Sequence, residues 1–314
     1  MPAEAAGGTV ELLVALKSVP PFASLPPEDL ALLVERATLR TFAPGDVVIE
    51  RGALVEAIHL VLEGSLLEQR GGRTWALREP YEIVGGVDAL AGASTDVAVR
   101  AEAAARTLEL EREALLDVCY DRFDLLATVA SGVAAMAIAA RRLLGALPSG
   151  GDASTTPTMD VDVRQLDLAE RVVFMRSIPV LRDTAVLTLA GVAATSTPAV
   201  VAAGEPLWRI GDPADHLLLI LSGVIDCADD SETRFALGPR EVAGVLDALA
   251  AIPRWYNATA RTRVVALRAR IADVMDVLED DPGTAVAALT QLARATSNLV
   301  AAVPESALQG SPRS

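Results

Sequence analysis

Residues 85–91 read GGVDALA, and residues 244–250, which lie 159 positions later, read GVLDALA. The same offset relates four pairs of glycines: Gly45 and Gly204, Gly52 and Gly211, Gly64 and Gly223, Gly85 and Gly244. Glycine is the usual residue where the chain turns with a positive φ, so a register held by glycines predicts one fold present twice. Solenoid repeats run roughly 20 to 50 residues, so this longer period predicts a domain duplication.

The composition limits the classes of function. The chain has 314 residues, of which 52% are apolar and 4% aromatic, and its net charge is −15. That length suits two domains of roughly 100–200 residues each, with cores built from Ala, Val and Leu. The negative charge argues against nucleic-acid binding over a broad surface. The first residues lack a basic segment followed by an apolar one, so we expect a cytoplasmic protein without a secretory signal.

The chain offers little metal or redox chemistry. Cys119 and Cys227 occupy unrelated positions in the two repeats, which predicts two buried free thiols. His59 and His216 are the only histidines, and neither has a partner at metal-ligand spacing. The sequence also lacks a nucleophile–base arrangement, a glycine-rich phosphate loop and a His-Glu-x-x-His motif. We therefore expect no metal, no catalytic residues and no enzymatic activity.

Each repeat begins with helical patterns, continues with short strands separated by glycines, and ends with two helical patterns. The predicted first domain spans residues 10–147 and the second spans 165–303. Residues 148–164 are rich in Pro, Gly, Ser and Thr, which is typical of a flexible linker. Residues 304–314 are predicted to form a tail.

Three local strings resemble the cyclic nucleotide-binding domain, the family of catabolite activator protein and of the regulatory subunits of cyclic-AMP-dependent kinase. They are residues 16–22 (LKSVPPF), 42–52 (FAPGDVVIERG) and 59–64 (HLVLEG), the last with a counterpart in 211–223 (GDPADHLLLILSG). The resemblance covers each repeat nearly end to end. It implies an α+β fold with two β-rolls of the jelly-roll type, each with flanking helices.

The resemblance also implies a site. The family's binding cassette reads FGELALL, then a short loop, then PR-x-ATV. In that cassette the N-terminal N–H groups of a short helix bind the cyclic phosphate, where the helix dipole favours an anion. The arginine adds a charge-assisted pair to the phosphate, and the glutamate accepts a hydrogen bond from the ribose 2′-hydroxyl.

The first cassette departs from this pattern at both polar positions. Gly86 stands where the glutamate belongs, and Thr95 stands where the arginine belongs. A hydrogen bond to a charged group contributes roughly 1.5–3 kcal/mol. Losing both contacts removes about 3–6 kcal/mol, or roughly two to four decades of affinity. We expect the first domain to have lost cyclic nucleotide binding.

The second cassette departs less. Val245 replaces the glutamate, but Arg254 keeps the arginine position, and Tyr256 stands where the family has a small alanine. Asp88 and Asp247 add an acid to the two cassettes, close to where a phosphate would lie. The candidate ligand-binding residues are Gly85, Gly86, Val87, Asp88 and Thr95 in the first cassette, and Gly244, Val245, Leu246, Asp247, Arg254, Trp255 and Tyr256 in the second.

Three functional hypotheses follow. The leading one is a non-enzymatic regulatory or scaffolding protein of bacterial type, whose degenerate domains bind a protein partner. The alternative is a sensor of cyclic AMP, cyclic GMP or another small molecule, acting weakly and mainly through the second domain. The third is a membrane-associated protein using the uncharged residues 125–140 and the pair Arg141 and Arg142. That stretch falls short of the roughly 18–20 apolar residues of a membrane span, so a buried or partner-facing helix is favoured. A DNA-binding transcription factor is not expected, because neither repeat is followed by a helix-turn-helix segment.

The closing helix of each repeat is rich in small residues, which let helix backbones approach closely. The expected contact faces follow helical spacing and comprise Ala127, Ala130, Ala134, Ile138 and Arg141 in the first repeat, and Ala285, Ala288, Leu292, Ala295 and Leu299 in the second. We predict that these helices pack together, within one chain or across a homodimer. The alternative is that each helix covers its own β-roll. An arginine pair at such a position typically interacts with the C-terminal end of its own helix.

Overall fold

The computed structural model describes residues 3–19, 22–23, 25–71, 73–145, 163–231 and 233–304. Most of the predicted linker, and the tail from residue 305 onward, lie outside these ranges. The helices are α1 (Ala3–Lys17), α2 (Pro27–Glu35), α3 (Gly86–Ala91), α4 (Arg112–Asp121), α5 (Phe123–Leu144), α6 (Leu168–Ser177), α7 (Val186–Thr195), α8 (Val245–Leu249), α9 (Ile271–Glu279) and α10 (Pro282–Ala302). A short 3-10 helix covers Pro179–Leu181.

The strands fall into two sets of eight in the described residues. The first set is β1 (Thr38–Phe42), β2 (Val47–Ile49), β3 (Ala57–Glu63), β4 (Leu66–Arg70), β5 (Arg73–Arg78), β6 (Ile83–Val84), β7 (Val97–Ala101) and β8 (Ala105–Glu111). The second set is β9 (Thr197–Val201), β10 (Pro206–Trp208), β11 (His216–Ser222), β12 (Ile225–Ala228), β13 (Arg234–Leu237), β14 (Val242–Ala243), β15 (Asn257–Ala260) and β16 (Val264–Arg270).

The offset of 159 residues read from the sequence recurs in the strands. The bounds of β1 and β9, of β3 and β11, and of β8 and β16 differ by that number at both ends. The glycines that carry the register share a backbone conformation, with φ of 75° at Gly85 and 77° at Gly244. The expected duplication is therefore visible in the backbone.

Each set of strands forms two four-stranded antiparallel sheets. The strand orders are β1-β8-β3-β6 and β2-β7-β4-β5 in the first set, and β9-β16-β11-β14 and β10-β15-β12-β13 in the second. The central strands are apolar on both faces, as β3 and β11 show by their nearly continuous burial. This confirms the predicted α+β fold, in which two jelly-roll-like β-rolls have flanking helices.

The chain divides into two compact units. The first contains residues 3–133 together with 289–304, and the second contains residues 134–288. The C-terminal part of α10 therefore belongs to the first unit, and the C-terminal part of α5 belongs to the second. In the second unit, Ile138 of α5 joins the buried cluster of Ile220, Ile225 and Val264.

Local sequence explains several helix ends. Helix α6 begins with a capping box, in which Asp167 accepts a hydrogen bond from the Glu170 N–H and Glu170 accepts one from the Asp167 N–H. Helix α2 has Pro27 at its first position, where the missing N–H costs nothing. Cys119 and Cys227 are free and buried, as expected, and burial raises the pKa of the Cys119 thiol to about 12.

Helix α5 extends beyond the uncharged stretch considered in the sequence. Among the described residues it is the one helix long and apolar enough to cross a membrane, by length and composition only. Half of its most apolar stretch is buried within the protein. A helix in the core of a protein can have the same length and composition. Leu125, Ala134 and Ala137 are among its buried side chains.

Candidate functional site

The first cassette begins where β6 turns into α3. Gly85 takes a left-handed conformation there, with φ of 75°. A Cβ at this position would lie 2.9 Å from Ile49 Cδ1 and 3.2 Å from the carbonyl oxygen of Ala57, so the turn requires glycine. Gly86 begins α3, and a Cβ there would lie 3.4 Å from Ile83 Cγ2. Val87 is buried.

Thr95 has a structural role at the position of the family's arginine. Its side chain is buried, and its Oγ1 accepts a hydrogen bond of 3.1 Å from the Val97 N–H at the start of β7. Its backbone N–H donates to the Ala53 carbonyl oxygen at 3.1 Å. The hydroxyl therefore shapes the loop before the strand, and it brings no positive charge to the cassette.

The acid of the first cassette is bound by the C-terminal part of α10. Ser297 Oγ donates to Asp88 Oδ1 at 2.6 Å. Arg294 Nε donates to the carbonyl oxygen of Ala91 at 2.8 Å, next to the C-terminal end of α3. Both contacts lie within the first unit. Helix α3 is thus bonded to α10 through the carboxylate of Asp88 and through the carbonyl oxygen of Ala91.

Arg70 of β4 binds the C-terminal end of α10. Its guanidinium donates to the carbonyl oxygens of Val300 at 3.2 Å and Val303 at 3.0 Å, and also to that of Ala301. These are carbonyls at the end of α10, where positive charge is favoured. Asp96 pairs with Arg70 Nε at 2.5 Å.

Sequence reasoning missed Arg70, Arg294 and Ser297. No signal in the cassette pattern could have found them, since they lie on β4 and α10 and act through tertiary contact.

The second cassette begins with the same turn, and the N–H group of its turn glycine donates to a side chain. Gly244 has φ of 77° and precedes α8. Its N–H donates to the hydroxyl of Tyr256 at 3.1 Å. Burial raises the pKa of that hydroxyl well above its usual range. The Tyr256 hydroxyl therefore takes a backbone donor at the start of the cassette helix.

Arg254 is enclosed on all sides. Its side chain is 0% exposed. Nη1 donates to the Gly244 carbonyl oxygen at 3.0 Å, and Nη2 donates to the carbonyl oxygen of His216. The ring of Trp208 lies over the guanidinium, with 4.2 Å between Cζ and the ring centroid. These contacts engage Nη1 and Nη2 without neutralising the charge.

Asp247 provides that neutralisation. Its Oδ2 accepts from Arg254 Nη1 at 3.2 Å, and its side chain is 1% exposed. The other carboxylate oxygen, Oδ1, and Arg254 Nε have no hydrogen-bond partner among the described residues. A buried carboxylate and a buried guanidinium are tolerated because they are paired.

Aromatic rings fill the space beside this pair. Tyr256 lies 5.6 Å from Trp208, 5.2 Å from Phe235 and 4.9 Å from Trp255, measured between ring centroids. Phe235 stacks on Trp255 at 5.7 Å with an interplanar angle of 23°. The aromatic cluster (Trp208, Phe235, Trp255 and Tyr256) is buried and belongs to the core of the second unit.

The arginine pair of α5 covers this cluster. Arg141 Cζ lies 4.4 Å above the Phe235 ring and Arg142 Cζ lies 5.4 Å above the Trp255 ring. The Thr233 hydroxyl donates to the Arg142 carbonyl oxygen at 3.4 Å. Both arginines lie in the last turn of α5, where they were expected, and their guanidinium groups also form cation–π contacts with the β-roll.

The structure brings only some of the predicted residues together. Gly244, Asp247, Arg254 and Tyr256 form one bonded group. Val245 and Leu246 diverge, since Leu246 packs against the aromatic core and Val245 packs against the separate cluster of Met175, Ile178 and Leu189. In the described part of the chain no three His, Cys, Asp or Glu side chains are placed to hold a metal ion.

Comparison with known proteins finds similarity to one domain family over part of the chain. Residues 198–281 match the model of the cyclic nucleotide-binding domain. A regulatory subunit of a cAMP-independent protein kinase A from Trypanosoma brucei is similar, with 18% identity over 87% of this chain and 88% of that chain, and a TM-score of 0.35. The regulatory domain of Toxoplasma gondii PKA, crystallised with cAMP, has 16% identity over 87% of this chain and 96% of that chain, with a TM-score of 0.34.

A shorter match is the N-terminal domain of a transcriptional regulator from Streptomyces coelicolor A3(2), with 22% identity over 37% of this chain and 84% of that chain, and a TM-score of 0.34. No curated protein matches the chain. The family match over residues 198–281 and the two β-rolls agree with the resemblance read from the sequence.

Proposed function

We propose that this chain is a non-enzymatic regulatory or scaffolding protein whose two degenerate cyclic-nucleotide-binding-like domains bind a protein partner. The observation that carries the proposal is the burial of Arg254, the cassette arginine that the sequence retains. Its side chain is 0% exposed and is paired with Asp247 at 3.2 Å. A ligand phosphate would need that charge. The fold is retained, but its cassette arginine is already paired within the protein, which supports binding of a protein partner at the surface instead of a ligand in the cassette.

The first cassette supports the same proposal. Thr95 brings no charge, and its hydroxyl is bonded within its own loop. Asp88 and the Ala91 carbonyl oxygen are already bonded to α10. An anion approaching the start of α3 would meet the carboxylate of Asp88, and that repulsion weakens binding.

A second candidate function is a sensor of a cyclic nucleotide or another small molecule, acting through the second domain. The observation that favours it is a set of buried polar atoms with no hydrogen-bond partner in the described residues: Asp247 Oδ1, Arg254 Nε, Trp208 Nε1 and Trp255 Nε1. Leaving such a group unpaired costs about 1–3 kcal/mol. A small polar molecule that reached these atoms would recover part of that cost.

Calorimetric titration with cyclic AMP and cyclic GMP tests the proposal. We expect no binding heat at nucleotide concentrations up to about 1 mM, because a sensor that loses two charged contacts is weakened by roughly two to four decades. Micromolar binding to the wild-type chain would contradict the proposal. The sensor hypothesis predicts that a nucleotide raises the melting temperature of the wild type but not that of Arg254→Ala. Thermal melting of both proteins with a panel of nucleotides tests this.

The proposal extends to assembly and location. It includes two domains over residues 10–147 and 165–303, a cytoplasmic location, and no role in nucleic-acid or membrane binding. It also includes pairing of the closing helices, within a chain or in a homodimer. Ala295 lies on the predicted contact face of α10 and is exposed, so Ala295→Glu probes such a contact without disturbing the core. A homodimer predicts that light scattering gives a dimeric mass for the wild type and a lower mass for the variant. A monomeric wild type would contradict the homodimer.

A further inference from the structure

The pairing of Asp247 with Arg254 differs from an ordinary surface ion pair. Both side chains are almost fully buried, at 1% and 0% exposure, and Nη1 lies 3.2 Å from Oδ2. The remaining partners of the guanidinium are the neutral carbonyl oxygens of Gly244 and His216. Among the described residues, Asp247 is the acid that forms an ion pair with this arginine. The neutrality of the site therefore depends on one carboxylate.

We propose that Asp247 is the internal anion of the second cassette, and that its carboxylate, by pairing with Arg254, excludes anionic ligands. This inference rests on the proposed function, and it names the residue that keeps a ligand phosphate from the cassette arginine. An anion that reached Arg254 would have to leave Asp247 buried and unpaired beside a second negative charge. Removing one partner from a buried pair is strongly unfavourable, and a like charge adds to the cost.

The two repeats provide an internal comparison. Asp88 is the counterpart of Asp247 at the offset of 159 residues. Thr95 replaces the arginine in the first cassette, and there Asp88 accepts a hydrogen bond from Ser297. The acid is thus present in both cassettes, but it forms an ion pair with a cassette arginine only in the repeat that retains one.

The surrounding groups hold the arginine in place. A Cβ on Gly244 would lie 2.3 Å from Arg254 Nη1, so the guanidinium packs directly against the backbone. The Trp208 ring covers it at 4.2 Å. With the carboxylate group of Asp247 removed, the guanidinium would keep these contacts as an unpaired buried cation. The space left would match a carboxylate in size, so formate is the chemically matched probe.

The experiment compares thermal melting of the wild type, Asp247→Ala and Asp88→Ala in sodium chloride and in sodium formate at equal ionic strength. We expect Asp247→Ala to melt roughly 6–20 °C lower than the wild type, from the cost of breaking a buried pair. Formate at about ten times its dissociation constant should then raise the melting temperature by about 3–6 °C. Asp88→Ala is the matched control and should show no formate-specific rise.

Asp247→Ser, which also leaves room where the carboxylate was, serves if Asp247→Ala does not fold; its melting temperature should rise in formate but not in chloride. The double variant Asp247→Ser/Arg254→Gln removes both charges and should not respond to either anion. Absence of rescue in both single variants, or equal rescue of Asp88→Ala or the double variant, would overturn the inference. Nucleotide binding by the wild type is a separate readout, which tests the proposed function instead.

Discussion

Ser297 Oγ donates a hydrogen bond of 2.6 Å to Asp88 Oδ1, so the acid of the first cassette is bound by a side chain 209 residues later in the chain. We predict that Ser297→Ala lowers the free energy of unfolding by about 1.5–3 kcal/mol, because hydrogen bonds to charged groups contribute roughly that much. Urea unfolding of Ser297→Ala, Asp88→Ala and the double variant measures the coupling. Additive losses would show that the bond contributes nothing to stability.

Arg70 is predicted to anchor the C-terminal end of α10. Its guanidinium bonds to three carbonyl groups of that helix end, those of Val300, Ala301 and Val303. Arg70→Met keeps an unbranched apolar stem but removes the donors and the charge. We expect faster amide hydrogen exchange in the last turns of α10. Arg70→Lys should protect partially, since an ammonium does not reproduce the planar fork. Unchanged exchange in Arg70→Met would contradict the anchor.

Gly244 is predicted to tolerate alanine much less well than Gly204. Both have positive φ, 77° and 83°, so both variants incur about 1–2 kcal/mol of backbone strain. A Cβ at Gly204 meets nothing within 4 Å, whereas one at Gly244 would lie 2.3 Å from Arg254 Nη1. Moving that buried atom breaks its pairing with Asp247. We expect Gly244→Ala to lose about 3 kcal/mol more than Gly204→Ala in chemical unfolding. Equal losses would mean that Arg254 moves freely.

The stability of the fold is predicted to fall below about pH 6.5, and His59 accounts for part of that loss. Burial lowers the pKa of His59 below 6.5; Glu109 opposes this and Arg40 adds to it. The unfolded state then binds more protons than the folded state, so the free energy of unfolding rises with pH up to the unfolded pKa and is lost as pH falls below it. Urea unfolding at pH 5.5 and 7.5 should show a smaller difference for His59→Gln than for the wild type. The residual difference is expected from His216, whose pKa is also lowered by burial. An identical difference in both proteins would contradict this assignment.

Much of the fold was predictable because it depends on local patterns. Glycines such as Gly85 and Gly244 mark turns that need a positive φ, and their constant offset predicted two copies of one fold. The apolar strands between them predicted buried sheets. The cassette residues could be placed by the same offset, including the acids Asp88 and Asp247.

The bonding of these acids was not predictable from the pattern. The two carboxylates occupy equivalent positions in the repeats, yet one binds Ser297 and the other binds Arg254. The difference depends on which side chain reaches each carboxylate in space. The cation–π contacts of Arg141 and Arg142 were also not predictable, because the rings of Phe235 and Trp255 come within reach only in the folded chain.

The sequence by itself determined the duplication, because turn glycines recur at a constant offset along the chain. Its resemblance to the cyclic nucleotide-binding domain implied the α+β class and the positions of both cassettes. Only the tertiary structure decided that α10 reaches the first cassette and that Arg254 is buried against Asp247. Those contacts join residues far apart in the chain or on different faces of a turn. Their energies come from burial and charge pairing, and these exist only after the chain has folded.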